Sequence, residues 1–146
     1  MPIPPAEPGL VISYAFLWSH EHDHGDAEGR KRRPCAVVLA IRTEAGRVTA
    51  TVAPITHSPP RDADAAVEIP PRVKDHLGLD AARSWIILDE LNEFVWPGVD
   101  IYPVPGGRPG QFHYGFLPPL LYEKVRKAIL ALDSKRKRTI RRDEDR

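Results

Sequence analysis

Sixteen prolines spread over 146 residues set the main limit on the architecture of this chain. A proline inside a helix removes a backbone hydrogen bond and clashes with the preceding turn, whereas the ends and edges of strands accept it. Such spacing disfavours a helix bundle and favours many short strands joined by turns. At this length the chain is most simply one domain, large enough to bury a core without cross-links.

The order of elements can be read from apolar periodicity and turn residues. Residues 9–17, apolar and β-branched, make a first strand. The polar stretch 19–33, with Gly25 and Gly29, is too long for a hairpin turn and is expected as a loop, of the kind that often carries function. Residues 34–42 give the second strand, Glu44-Ala45-Gly46-Arg47 a turn, and residues 48–56 the third strand, stopped by Pro59 and Pro60. A short strand at 66–69 leads into a short helix, with Pro71 in its first turn and Gly78 as its stop. Residues 84–89 form another strand, 96–110 are turn-rich, and 111–116 form the last strand. One long helix starts at Pro118-Pro119, with Leu121, Val125, Ala128, Ile129 and Leu132 on one stripe. The expectation is a mainly β fold with some α over residues 1–132: a small, strongly bent β-barrel with a short helix and a C-terminal helix packed against it. Residues 133–146 are expected as a basic, flexible tail.

Charge and cysteine content narrow the function classes. Lysine and arginine number 21 against 20 acidic residues, so a nonspecific nucleic-acid coat is disfavoured. Local basic patches at 134–142 and at Arg30-Lys31-Arg32-Arg33 suit phosphate contacts or an acidic partner. The single cysteine, Cys35, allows no internal disulfide and lies in an apolar run, as a buried inert thiol would. No apolar stretch is long enough to span a bilayer, and residues 1–5 lack the blocks of a signal peptide, so a cytoplasmic protein is expected.

Two junctions carry chemistry. Arg33 precedes the second strand as a fixed cation, with Arg32 and Arg30 beside it as further phosphate contacts; Thr56, His57 and Ser58 follow the third strand. A phosphodiester-handling site needs a titratable group to move protons, a cation for the charge that develops on the phosphate oxygens, and hydroxyls to bond them. Guanidinium suits the second role because it stays charged and forks onto two phosphate oxygens. The Thr56 hydroxyl either bonds a phosphate or caps its own loop. His57 has a ring suited to proton transfer, but neighbours on a strand face opposite sides, so it joins Thr56 only where the strand has broken. Asp89 and Glu28 are weaker carboxylate candidates. In an extended chain His20, His22 and His24 would share one face, a pattern suited to zinc. A loop folded over the site, with His24 as a catalytic imidazole, is the preferred reading, so neither metal nor cofactor is expected. Trp85, Trp96, Tyr102 and Phe112 are candidates for base stacking or, more simply, core.

Gly9 and the strand after it, Arg33-Pro34, Pro54-Ile55-Thr56, Leu77-Gly78-Leu79, Trp85-Ile86-Ile87-Leu88-Asp89 and Gly115 stand in an order that resembles the MazF/PemK (Kid) toxins of type II toxin–antitoxin systems. The likeness covers roughly residues 8–132. It implies an SH3-like barrel, a homodimer, metal-independent cleavage of single-stranded RNA, and neutralisation by a cognate antitoxin. It also implies that Arg33 and Thr56 act at the scissile phosphate and that Asp89 is the acid of the later strand. Two departures stand out: Ile87 occupies the place where some members have an arginine, and the loop before Arg33 is longer and rich in His and Asp. The alternative is a non-catalytic barrel that binds a protein, as a degenerate toxin or in the manner of the gyrase poison CcdB. A nucleotide-binding regulator is disfavoured by the lack of a Gly-rich phosphate loop.

Overall fold

A computed structural model describes residues 3–26 and 31–142. In chain order the elements are β1 (Leu10–Tyr14), α1 (Ser19–Asp23), β2 (Arg33–Arg42), β3 (Val48–Thr56), β4 (Ala66–Glu68), α2 (Pro71–Leu77), β5 (Trp85–Ile87), β6 (Glu90–Val95), β7 (His113–Phe116), α3 (Pro119–Ala131) and β8 (Arg138–Arg141). Short 3-10 turns precede β4 and β8. No helix among the described residues is long and apolar enough to cross a membrane.

The expectation of a mainly β fold with a few helices holds. The strands form one largely antiparallel sheet in the order β4-β5-β3-β2-β1-β7, with β6 also pairing β3 and β8 pairing β6 in parallel. β3 organises it. Its Thr49–Val52 part lies against β6, while Ile55 and Thr56 lie against Ile86 and Trp85 of β5. Bulges between Val37 and Leu39 and between Val11 and Ile12 add bending. Among the described residues no ladder joins the outer strands, so hydrogen bonding leaves the sheet open.

Both faces of the central strands are covered, which is why the sequence reads there as apolar runs. Val11, Ala36, Ala53 and Ile55 pack with Leu121 and Val125 of α3 and Leu77 of α2. Their alternates Ile12, Cys35, Val37 and Val52 pack with Tyr14, Phe16 and Phe94. The short helix ends as its sequence implies: Gly78 takes φ 70°, a left-handed conformation that spares a side-chain clash, and its N–H bonds back to α2.

Three segments differ from expectation. The polar stretch after residue 18 begins as a helical turn, because Glu21 Oε1 accepts the Trp18 N–H at 3.0 Å and closes the first turn. β6 carries no clear alternation because a polar residue, Asn92, is fully buried in it. The Asn92 amide accepts the Leu17 N–H at 2.9 Å and donates to the Leu17 carbonyl at 2.8 Å, pinning the chain beyond β1. The basic segment expected to fray instead adds β8 to the sheet through residue 141, burying Ile140 against Asn92 in register. Three of its charges are matched on the surface: Arg136 pairs with Asp62, Arg138 with Asp23 and Arg141 with Glu93.

Candidate active site

The ends of β2 and β3, the start of α1 and the turns around β5 converge on an open cleft of about 1220 Å3. Arg32, Arg33, Thr56, His57, Ser58 and Asp89 all line it. The sheet register brings them together. Cys35 of β2 faces Pro54 of β3, so Arg33 and Thr56 each lie two residues further along at the same end of the ladder. Thr56 is paired on its other side with Trp85, which carries the chain on towards Asp89.

His24 is not part of this arrangement: it is exposed at the C-terminal end of α1 and does not line the cleft, whereas His20 does. Helical turning also overturns the extended reading of the three histidines, since residues two apart on a helix face away from each other. Among the described residues no group of three His, Cys, Asp or Glu is placed to hold a metal. Arg30 and Glu28 lie outside the described residues.

Arg33 is held without being used up. Its guanidinium stacks over the Trp18 ring at 5.2 Å, and that of Arg32 lies over Tyr102 at 3.7 Å. The Arg33 Nε is buried and finds no hydrogen-bond acceptor among the described residues. Leaving a buried donor unsatisfied costs about 1–3 kcal/mol, and more on a charged group.

Thr56 does cap its own loop: its hydroxyl oxygen accepts the Ser58 N–H at 3.2 Å. The hydroxyl hydrogen is still available to donate. This bend ends β3 at Thr56 and supplies the strand break that His57 needs to reach the cleft. Asp89, half-buried in the bend between β5 and β6, has its carboxyl pushed up by burial and, secondarily, by the neighbouring Glu90 charge. It therefore keeps its proton to higher pH than an ordinary aspartate. Glu90 accepts the Ser19 N–H at 2.8 Å and the Ser19 hydroxyl at 2.5 Å, fixing the start of α1 to the cleft.

Sequence reasoning missed a second layer of polar residues. Lys74, buried on α2, Asp80 and Ser84 also line the cleft. Asp80 lies 23 residues beyond His57, and only the pairing of β3 with β5 draws the two loops together. No local signal marks these residues, because Lys74 stands in α2 beside Arg72, Asp75 and His76 and is not distinguished from them in the sequence.

No protein-family model and no curated protein matches the chain.

Proposed function

We propose that this cleft cleaves single-stranded RNA without a metal ion, and that the protein is an endoribonuclease toxin of a type II toxin–antitoxin system. The observation that carries the reading is the convergence in one cleft of the Arg33 guanidinium, stacked on Trp18, with the Thr56 hydroxyl, the His57 imidazole and the Asp89 carboxyl. His57 accepts the 2′-hydroxyl proton as that oxygen bonds to phosphorus. Arg33 and the Thr56 hydroxyl stabilise the charge that gathers on the phosphorane oxygens. Asp89 in its protonated form donates to the departing 5′-oxygen as the phosphorus–oxygen bond breaks. The products are a cyclic 2′,3′-phosphate and a free 5′-hydroxyl. Arg32 and Ser58 contact the RNA backbone beside the cleaved bond.

The resemblance to MazF/PemK toxins supports the same reading and extends it to an SH3-like barrel, a homodimer and a cognate antitoxin. The test is incubation of purified protein with a long RNA in EDTA beside Arg33→Ala. Discrete fragments from the wild type, lost in the variant, are expected. Intact RNA with a folded wild type would overturn the nuclease reading and favour a protein-binding role of the gyrase-poison kind.

A further inference from the structure

We propose that Asp80 is the positioning residue for His57, holding the imidazole with its Nε2–H fixed and leaving Nδ1 as the proton acceptor. This rests on the nuclease reading above. His57 Nε2 lies 2.8 Å from Asp80 Oδ2 and 3.1 Å from Oδ1. An ionised carboxylate only accepts hydrogen bonds, so the ring nitrogen facing it carries the hydrogen, and in the neutral ring the other is the one with the free lone pair.

An exposed His–Asp contact is ordinarily weak, and both of these side chains are more than half exposed. What separates this pair from a casual one is the anchoring of its acid. Asp80 Oδ1 accepts from Lys74 Nζ at 2.7 Å and from the Ala82 N–H at 3.1 Å. Lys74 is only 4% exposed; its ammonium also donates to the Ser84 hydroxyl at 2.7 Å and to the Ala82 carbonyl. The turn between Lys74 and Asp80 is itself fixed, since the Leu79 N–H bonds to the Lys74 carbonyl at 2.9 Å beside the left-handed Gly78. The Lys74 bond holds the Asp80 carboxyl below the usual range, so it stays ionised and does not take the ring proton. From the other side, the Thr56–Ser58 bend turns His57 off β3 towards it. The carboxylate is thus preset before any substrate arrives, as an orienting acid must be.

The competing role is structural: Asp80 would serve only to neutralise buried Lys74. A double-mutant cycle separates the two. Asp80→Ala in the wild-type background is expected to lower kcat for RNA cleavage roughly 10- to 100-fold with KM unchanged. In a His57→Ala background the same change is expected to cost nothing more. To keep the fold out of the result, the cycle is repeated with Lys74→Met, in which no buried ammonium is left unpaired. Additive losses, a loss confined to KM, or full activity in Lys74→Met/Asp80→Ala would overturn the positioning role while the nuclease reading stood. Absence of cleavage by the wild type in EDTA would instead remove both.

Discussion

The guanidinium of Arg142 lies 3.2 Å from the Asp100 carboxylate, with both side chains sealed from solvent. Arg142 Nη1 also donates to the Ala15 carbonyl at 2.7 Å and to Asn92 Oδ1 at 3.0 Å. One residue past β8 therefore ties together the end of β1, the centre of β6 and the turn-rich stretch before β7. Removing one partner of such a pair strands the other charge, at a cost of about 3–5 kcal/mol.

Arg142→Ala is expected to lower the unfolding free energy by about that amount in urea titrations. Arg141→Ala, one residue away, removes a surface contact to Glu93 and is expected to cost about 1 kcal/mol or less. Similar losses for the two would show that the end of β8 is not anchored as described.

Arg33 is expected to act through its planar fork as well as its charge. Arg33→Ala should slow RNA cleavage on the order of 100- to 1000-fold, as loss of a preorganised donor to an oxyanion does. Arg33→Lys keeps a charge but neither the fork nor the stack on Trp18, and should recover only part of that loss. Initial rates on an end-labelled RNA decide this; full recovery by lysine would reduce the role to a point charge.

Asp89 couples the proposed chemistry to stability. Its carboxyl is pushed up by burial, so between the ordinary aspartate value and its raised value the folded protein binds more protons than the unfolded one. Stability contributed by this site is therefore greatest at low pH and falls as pH rises through that window. Asp89→Asn is expected to be more stable than wild type at pH 7, with the difference vanishing below about pH 4. The same variant should lose cleavage. Urea midpoints of the two proteins at both pH values provide the check, and a less stable Asp89→Asn at pH 7 would contradict the burial effect.

How much of this was legible beforehand follows from the range of the interactions. The β2–β3 hairpin and α2 were readable because their signals are local: a Gly46 turn, an alternating run, a Pro71 start and a Gly78 stop. Arg33 and Thr56 could be named because each stands at the end of a locally readable strand, and the β2–β3 register brings those ends together. β6 was not readable, since Asn92 breaks the apolar pattern and earns its buried place only through Leu17 and Arg142. The basic segment looked like a solvated tail because its neutralising partners, Asp62, Asp23 and Glu93, are distant in sequence. Asp80 was hidden for the same reason. Long-range polar pairing, unlike apolar periodicity, leaves no local trace.

Cys35 joins the site to the core and offers a probe of both. It is fully buried at the centre of three strands, facing Ile12 on β1 and Pro54 on β3. Its thiol contacts the Arg33 carbonyl at 3.6 Å, and burial pushes its ionisation far above the ordinary cysteine range. The thiolate is the reactive form, so a thiol reagent meets neither an accessible nor an ionised sulfur in the folded protein. Modification then requires β1, β2 and β3 to separate, and its rate measures the population of that opened state. Native protein should label orders of magnitude more slowly than protein in denaturant. Arg142→Ala should speed labelling on the order of a hundredfold, the factor matching a loss of about 3 kcal/mol. Fast labelling of the native wild type would mean that the strand bearing Arg33 opens on its own, and a rate unchanged by Arg142→Ala would mean that it opens without disturbing β8.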